Sequence, residues 1–218
     1  MKKLVLSIIF LLGFSTTAYA TGSVGFTISN AKVLSGVSDD IDNNGTTDTT
    51  RNLSNDVTFA SIFLEKALSD NMSVGLDFIP AEAEFESRST TQTSRTTTST
   101  DTSGTNKGTA EVSRHLTFYL QPQKEIRDGV KVFGTLGFVR ADVESLVQSV
   151  SSTDKTVEQD LDGMKLGLGL KKETGFGFIK IEYSETDYDD ISATTSNNTK
   201  VTADIDTEIL ALSVAKSF

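Results

Sequence analysis

The residues best suited to chemistry are oxygen-bearing side chains that alternate along residues 40–48. Oxygens at alternate positions can converge on one hard cation, and a glycine among them allows the sharp turn that this requires. The pattern matches the first part of a calcium-binding loop, and its ligands would be Asp40, Asp42, Asn44, Thr46 and Asp48. Arg51 occupies the position of the bidentate glutamate that usually ends such a loop. The sequence therefore predicts a weak calcium site, with a solvated acidic turn as the alternative.

The single histidine, His115, lies two residues before Thr117. Histidine can act as the base for a hydroxyl nucleophile, and this spacing resembles that of barrel-shaped lipid hydrolases. Such a site needs a third group that orients the base, and it needs access to lipid. The apolar residues that alternate with His115 would occupy the lipid-facing side, which places His115 on the opposite face. The sequence therefore favours an interior, structural histidine and predicts no catalytic residue.

A third group is acidic: Glu185, Asp187, Asp189 and Asp190, with Tyr188 among them. Functionally, such a cluster could bind cations or a basic partner. Runs of like charge more often form a hydrated, mutually repelling surface, and that is the interpretation favoured here.

The first twenty residues predict an export signal. Lys2 and Lys3 are followed by an apolar run over residues 4–14 and by the small-residue pattern of residues 18–20. The run is too short for a membrane-spanning helix, which needs roughly twenty residues. The mature chain is expected to begin at Thr21 and to form one domain to residue 218.

Composition restricts the classes of function. The formal net charge is −10, which disfavours nucleic-acid binding because phosphates need a basic face. The chain contains no cysteine, so disulfides and thiolate metal sites are excluded. After the signal no apolar run is long enough for a spanning helix, so membrane insertion would have to use strands.

Apolar and polar residues alternate with a period of two in eight stretches, which predicts eight β-strands. In the clearest stretch Met164, Leu166, Leu168 and Leu170 alternate with lysine and glycine. In the second stretch the better parity turns Leu64 towards lipid and Glu65 inward.

The connections between these stretches alternate in length. Those at residues 69–71, 121–129 and 172–175 are short, whereas those at 34–56, 86–109, 145–160 and 186–200 are long and polar. The second long connection contains a Ser/Thr tract, 87–105, that is too polar to pack a core. The pattern predicts an eight-stranded antiparallel up-and-down transmembrane β-barrel with both termini periplasmic. A water-soluble β-sandwich is the alternative.

The last strand carries Leu210, Leu212, Val214 and Phe218 on one parity. It resembles the C-terminal recognition strand that the barrel-assembly machinery reads, although Lys216 departs from that pattern. The chain as a whole resembles the small outer-membrane β-barrel family that includes the membrane domain of OmpA and the opacity-type proteins. This resemblance implies the outer membrane of a Gram-negative cell as the location and its lipid as a partner.

Eight strands enclose a space that side chains can fill. The sequence therefore predicts a structural or surface-interaction protein with a packed polar interior, long acidic exterior loops and an unidentified exterior partner. A narrow channel for ions or small solutes is the alternative, and a lipid hydrolase is the weaker one. Inside, Gly169 is predicted opposite Lys180 and Gly167 opposite Glu182, so that lysine and glutamate neutralise each other. No cofactor is expected apart from weakly bound calcium.

Overall fold

The computed structural model describes residues 22–40, 43–80, 83–94, 102–149, 152–194 and 200–218. They form ten strands: β1 (Gly22–Asp40), β2 (Thr49–Ser69), β3 (Met72–Ile79), β4 (Ala83–Ser94), β5 (Thr102–Arg127), β6 (Val130–Ser149), β7 (Ser152–Glu173), β8 (Gly177–Tyr188), β9 (Ile191–Thr194) and β10 (Lys200–Ser217). None of the described residues belongs to a helix with the length and apolar character needed to span a membrane. The predicted export signal and Thr21 lie outside the described residues and stay predictions.

Antiparallel pairing closes the strands into a ring. The strands pair in the order β1-β2-β3-β5-β6-β7-β8-β10, and β1 pairs with β10 from Ser23↔Ser217 to Asp40↔Lys200. Closure removes the free edges that an open sheet would present. The predicted all-β, antiparallel, up-and-down architecture is therefore confirmed.

Two strand positions are interrupted, so the structure has ten segments where the sequence predicts eight. β3 and β4 pair with successive parts of β5, and β8 and β9 both pair with β10. The first interruption follows β3 at Pro80, which has no N–H to give to a ladder.

Two regions differ in how the strands pair. In the ring, residues 22–32, 58–80, 113–139, 163–188 and 208–218, the sheet is continuous. In the extension, residues 33–57, 83–112, 140–162 and 189–207, the described residues form two sheets, β9-β10-β1-β2 and β4-β5-β6-β7. No ladder pairing within these ranges joins β2 to β4 or β7 to β9.

The outer face of the ring is apolar. Leu168 is 70% exposed and Phe26 is 49% exposed, whereas Glu65, on the other parity, is 5% exposed. The predicted outward parity holds for the large apolar residues Val24, Phe26, Ile28, Ile62, Leu64, Phe118, Leu136, Phe138, Met164, Leu166, Leu168, Leu170, Ile179, Ile181, Tyr183, Leu210, Leu212 and Val214.

The four long connections are corrected by the structure, because strands extend into all of them. The Ser/Thr tract is largely paired: Arg88↔Gly108 to Ser94↔Thr102 form an antiparallel ladder, and residues 95–101 lie outside the described ranges. A ladder satisfies backbone donors and acceptors whatever the side chains are, and threonine suits strands. Polar composition therefore did not identify loops here.

The turns also correct the predicted register. Thr174 and Gly177 exchange backbone hydrogen bonds of 2.8 and 3.3 Å, so the turn is Gly175–Phe176, later than predicted. As a result Gly169 lies opposite Glu182 and Lys171 opposite Lys180, and Gly167 faces Ser184. Similarly, β5 continues to Arg127 instead of turning from residue 121.

Candidate functional site in the ring interior

Small residues on the inner face make room for aromatic side chains that extend into the interior of the closed sheet. The Phe133 ring lies over Gly169 and the Tyr119 ring over Gly75, so that a Cβ at either glycine would collide with them. Glycine in a strand commonly marks such a close approach. The interior is consequently filled from several strands at once.

Glu65 is the centre of the buried charges. Its Oε1 accepts a hydrogen bond of 2.8 Å from Lys171 Nζ, and its Oε2 accepts one of 2.8 Å from Lys180 Nζ. Tyr119 donates its hydroxyl to the same Oε2 at 3.3 Å. Both glutamate oxygens are therefore paired, which is what a carboxylate buried this deeply requires.

Aromatic rings complete the surroundings of the two lysines. Lys171 Nζ lies 3.9 Å from the centre of the Phe178 ring, and Lys180 Nζ lies 4.5 Å from that of Phe63. Phe63 and Phe178 pack together with Ala215. Ring faces attract cations, so these contacts stabilise charge where water is excluded.

A second charged layer lies next to the first. Glu182 pairs with Lys165 at 2.9 Å, and Gln121 donates to Thr135 Oγ1 at 2.9 Å. Lys180 reaches Gln121 Oε1 at 3.4 Å and links the two layers. The sequence predicted neutralisation of interior lysine and glutamate, but the partners differ: Lys180 serves Glu65, and Lys165 serves Glu182.

A polar cavity of about 50 Å³ adjoins these layers and is large enough for more than one water molecule. Asp77 lies in its wall and accepts a hydrogen bond of 2.8 Å from Ser61. Thr117, Lys165 and Glu182 line it as well. The cavity presents charges of both signs together with hydroxyl groups.

His115 lies in the wall of the same cavity, and its Nε2 is 3.0 Å from the Tyr188 hydroxyl. Arg114, which has a φ of 49°, and His115 together oppose Ala141, and this makes a β-bulge at the junction of ring and extension. Bulges change the direction in which a side chain points. His115 thus faces the interior, as predicted, and its hydrogen-bond partner Tyr188 is a phenol and not a carboxylate.

An apolar cluster lies beyond the cavity on the extension side. Leu161 and Tyr188 belong to it, and both are buried. Its remaining members are Val139, Ala141 and Val143, with Ile191 and Ile205 packed against them. Residues of β6, β7, β8, β9 and β10 therefore meet in the space between the two sheets. The sequence patterns did not identify this cluster, because its members are separated by charged residues.

Glu185 and Asp187 of the predicted acidic cluster lie on the outer face, where β8 and β10 meet, Asp189 and Asp190 follow the end of β8, and Tyr188 is buried inside. Glu185 is opposite Glu208, and Asp187 is opposite Asp206. Partial burial, followed by the charges of Asp204 and Asp187, raises the pKa of Asp206. Sequence reasoning found the β8 half of this surface and missed the β10 half, because the two are brought together only by pairing.

The predicted calcium ligands lie at the β1–β2 tip. Asp40 accepts hydrogen bonds from the backbone amides of Asn44 (3.0 Å) and Gly45 (2.8 Å), and the Asn44 side chain accepts one from Thr46 (2.8 Å). Asp42 lies outside the described residues. Within the described residues, no three acidic or histidine side chains are grouped as metal ligands. The calcium site stays a prediction.

Comparison with known proteins places the fold. No family model matches the chain, and no curated protein matches it by sequence. Among solved structures, the outer-membrane protein OprG from Pseudomonas aeruginosa is similar, with 16% identity, a TM-score of 0.56, and coverage of 92% of this chain and 97% of that one. The outer-membrane protease OmpT from Escherichia coli gives 8% identity, a TM-score of 0.53, and coverage of 93% and 98%.

Both similar structures are outer-membrane proteins, and at these identities the likeness establishes the fold alone. It agrees with the closed antiparallel sheet and with the apolar outer face. The chain has the fold of the small outer-membrane β-barrel family, which is the family that its sequence resembles.

Proposed function

We propose that the protein is an eight-stranded outer-membrane barrel, with β3 and β4 forming one interrupted strand and β8 and β9 another. Both members of each pair run beside the same neighbouring strand, which supports this count. The short turns lie at the end of the ring where Gly22 and Phe218, the first and last described residues, pair with each other. In bacterial barrels the short turns are periplasmic, so the termini are assigned to the periplasm.

The ring serves as a filled anchor and not as an open pore. The observation that carries this proposal is Glu65, which holds Lys171 and Lys180 across the interior through two 2.8 Å contacts. A barrel of eight strands leaves a space that side chains of this size occupy. The outer face of the extension then remains for a structural or surface-interaction role.

Recording the current across a planar bilayer that contains the refolded full chain tests this proposal. We expect no stable conductance steps from the unaltered protein. Regular steps would contradict it and support the narrow-channel alternative, for which the polar cavity beside Asp77 is the supporting observation. Glu173→Gln, which removes a rim partner of Lys131, is a matched control and should also remain silent.

The extension is the part of the molecule that a partner could reach. Within the extension, the described ladders pair β2 with β1 alone and β4 with β5 alone, although the ring part of β2 also pairs with β3. Unpaired strand edges can accept an extended peptide through backbone hydrogen bonds. The lipid-hydrolase alternative gains no support, since His115 and Thr117 both face the interior.

The proposal includes export through residues 1–20 and assembly through the last strand. Leu210, Leu212 and Val214 lie exposed on the outer face of β10, and Phe218 is 78% exposed. A gel comparing boiled with unboiled protein checks the fold directly. The unboiled barrel is expected to migrate differently from the boiled chain, and identical migration would contradict the barrel.

A further inference from the structure

The tip of the β1–β2 hairpin contains the one Asn–Gly step in the sequence, Asn44–Gly45. Both residues are exposed, and Gly45 has a φ of 88° with no atom within 4 Å of where a Cβ would stand. The Asn44 side chain points forward along the chain, because its Oδ1 accepts a hydrogen bond from the Thr46 amide at 2.8 Å. The next backbone nitrogen, that of Gly45, therefore lies beside the Asn44 side chain and is not crowded by a side chain of its own.

We propose that Asn44 is a site of spontaneous deamidation in the folded protein and that Asp40 sets its rate. The Gly45 nitrogen loses its proton and forms a bond to Asn44 Cγ, and the side-chain nitrogen leaves as ammonia. Water then opens the cyclic imide at either carbonyl. The products carry aspartate or isoaspartate at position 44, with one amide replaced by one carboxylate.

Asp40 acts on the nucleophile itself. Its Oδ2 accepts the Gly45 N–H at 2.8 Å, and its Oδ1 accepts the Asn44 N–H at 3.0 Å. A carboxylate that holds this N–H opposes loss of the proton, since the resulting anion would stand beside a negative charge. Asp40 therefore slows the reaction, and the tip gains a negative charge only gradually.

Peptide mass spectrometry of the refolded full chain, incubated in mildly alkaline buffer, tests the proposal. We expect the peptide with Asn44 to gain the mass of an NH2-to-OH exchange, while the peptide with Asn71, in the β2–β3 turn, stays unchanged. Gly45→Ala should slow the conversion severalfold, because a side chain at this φ crowds the attack. Asn44→Gln should abolish the mass change.

Two outcomes would overturn the proposal. One is an intact Asn44 in the folded protein after the urea-unfolded chain has converted. The other is an unchanged rate in Gly45→Ala. The role of Asp40 has its own test: Asp40→Ala should speed the conversion severalfold, and Asp40→Asn, which keeps the shape and removes the charge, should also speed it. Equal rates in all three proteins would remove Asp40 from the account.

Discussion

The ring and the extension are built from the same strands but carry their apolar residues on opposite faces. In the ring, Leu168 points outward and Glu65 inward. In the extension, Leu161 is inside at 3% exposure, whereas Asp162 lies on the outer face. Along β7 the outer face changes from apolar to acidic between Met164 and Asp162. A period of two therefore predicts a strand, but only the surroundings decide which face carries the apolar residues.

The two regions also differ in what holds them together. The ring is closed by hydrogen bonds on every side, and its interior depends on ion pairs. Among the described residues, the two sheets of the extension are joined by the apolar cluster around Leu161 and Tyr188 and by a 3.0 Å hydrogen bond from the Gln159 side chain to the Ser192 carbonyl. Changes that affect one region should therefore leave the other nearly unaltered.

Glu65→Gln should have the largest effect, and it should be confined to the ring. Removing one partner of a buried ion pair typically costs about 3–5 kcal/mol, and here two lysines lose their shared carboxylate. Urea unfolding of the refolded protein should show a lower midpoint. As a control, Glu173→Gln removes a half-exposed rim partner and should cost about 0–1 kcal/mol. Equal effects of the two variants would contradict the central role of Glu65.

Placing lysine on the outer face should distinguish the two regions next. Leu168→Lys puts a charge on the lipid-facing side and should cost about 2–4 kcal/mol of unfolding free energy. Ser54→Lys, on the outer side of β2 in the extension, should stay within about 0.5 kcal/mol. Unfolding in lipid vesicles measures both. A tolerated Leu168→Lys would mean that this face does not contact lipid.

Leu161→Ala should weaken the extension alone. The cavity that it leaves in the apolar cluster should cost about 2–3 kcal/mol of local opening free energy. Hydrogen exchange should become faster for amides of β6 after Arg140 and of β7 before Asp162. It should not change for amides of the ring. Faster exchange throughout the ring would show that the two regions open as one unit.

Acidification should have the smallest effect on stability. It should weaken the extension at Asp162 on β7 and strengthen it at Asp206 on β10. The Arg140 hydrogen bond at 2.6 Å lowers the pKa of Asp162 below its usual 3.8. The pair therefore stabilises the folded state at pH values above 3.8. This stabilisation is lost as the pH falls through the lowered pKa. The pKa of Asp206 is raised, so its repulsion is relieved as pH falls through the raised pKa, before 3.8 is reached.

Hydrogen exchange corrected for its intrinsic pH dependence should follow this order. Amides of β8 and β10 near Asp206 should first become better protected as the pH falls towards 3.8. Amides beside Asp162 should lose protection only below that pH. Simultaneous changes of the same sign would contradict the assignment.

Much of the ring could be predicted because its signal is local. The outward parity of Met164 to Leu170 and the inward position of His115 follow from alternation over a few residues. The partners of Lys180 could not be found in this way. Its carboxylate, Glu65, is distant in sequence, and a one-residue error in the position of the turn at Gly175–Phe176 displaces every facing pair by two.

The extension was missed for a different reason. Serine, threonine and charged residues are frequent along its strands, and its buried apolar residues are separated by charged ones such as Asp142 and Asp162. Val143 and Leu161 form a cluster only after β6 and β7 have paired at Ala141↔Leu161. The β1–β2 turn lies inside the predicted connection 34–56, which is much shorter than predicted because both strands extend into it, and the calcium site stays a prediction.

Among the described residues no ladder joins the extension parts of β2 and β4, and this has a mechanical consequence. Hydrogen-bonded strands resist shear, whereas side-chain contacts between two sheets give way more easily to a force that pulls the sheets apart. A load applied to the hairpin tips would therefore spread the sheets before it strained the ring. The junction at Pro80 and the Arg114 bulge would act as a compliant joint between a stiff anchor and a deformable outer part.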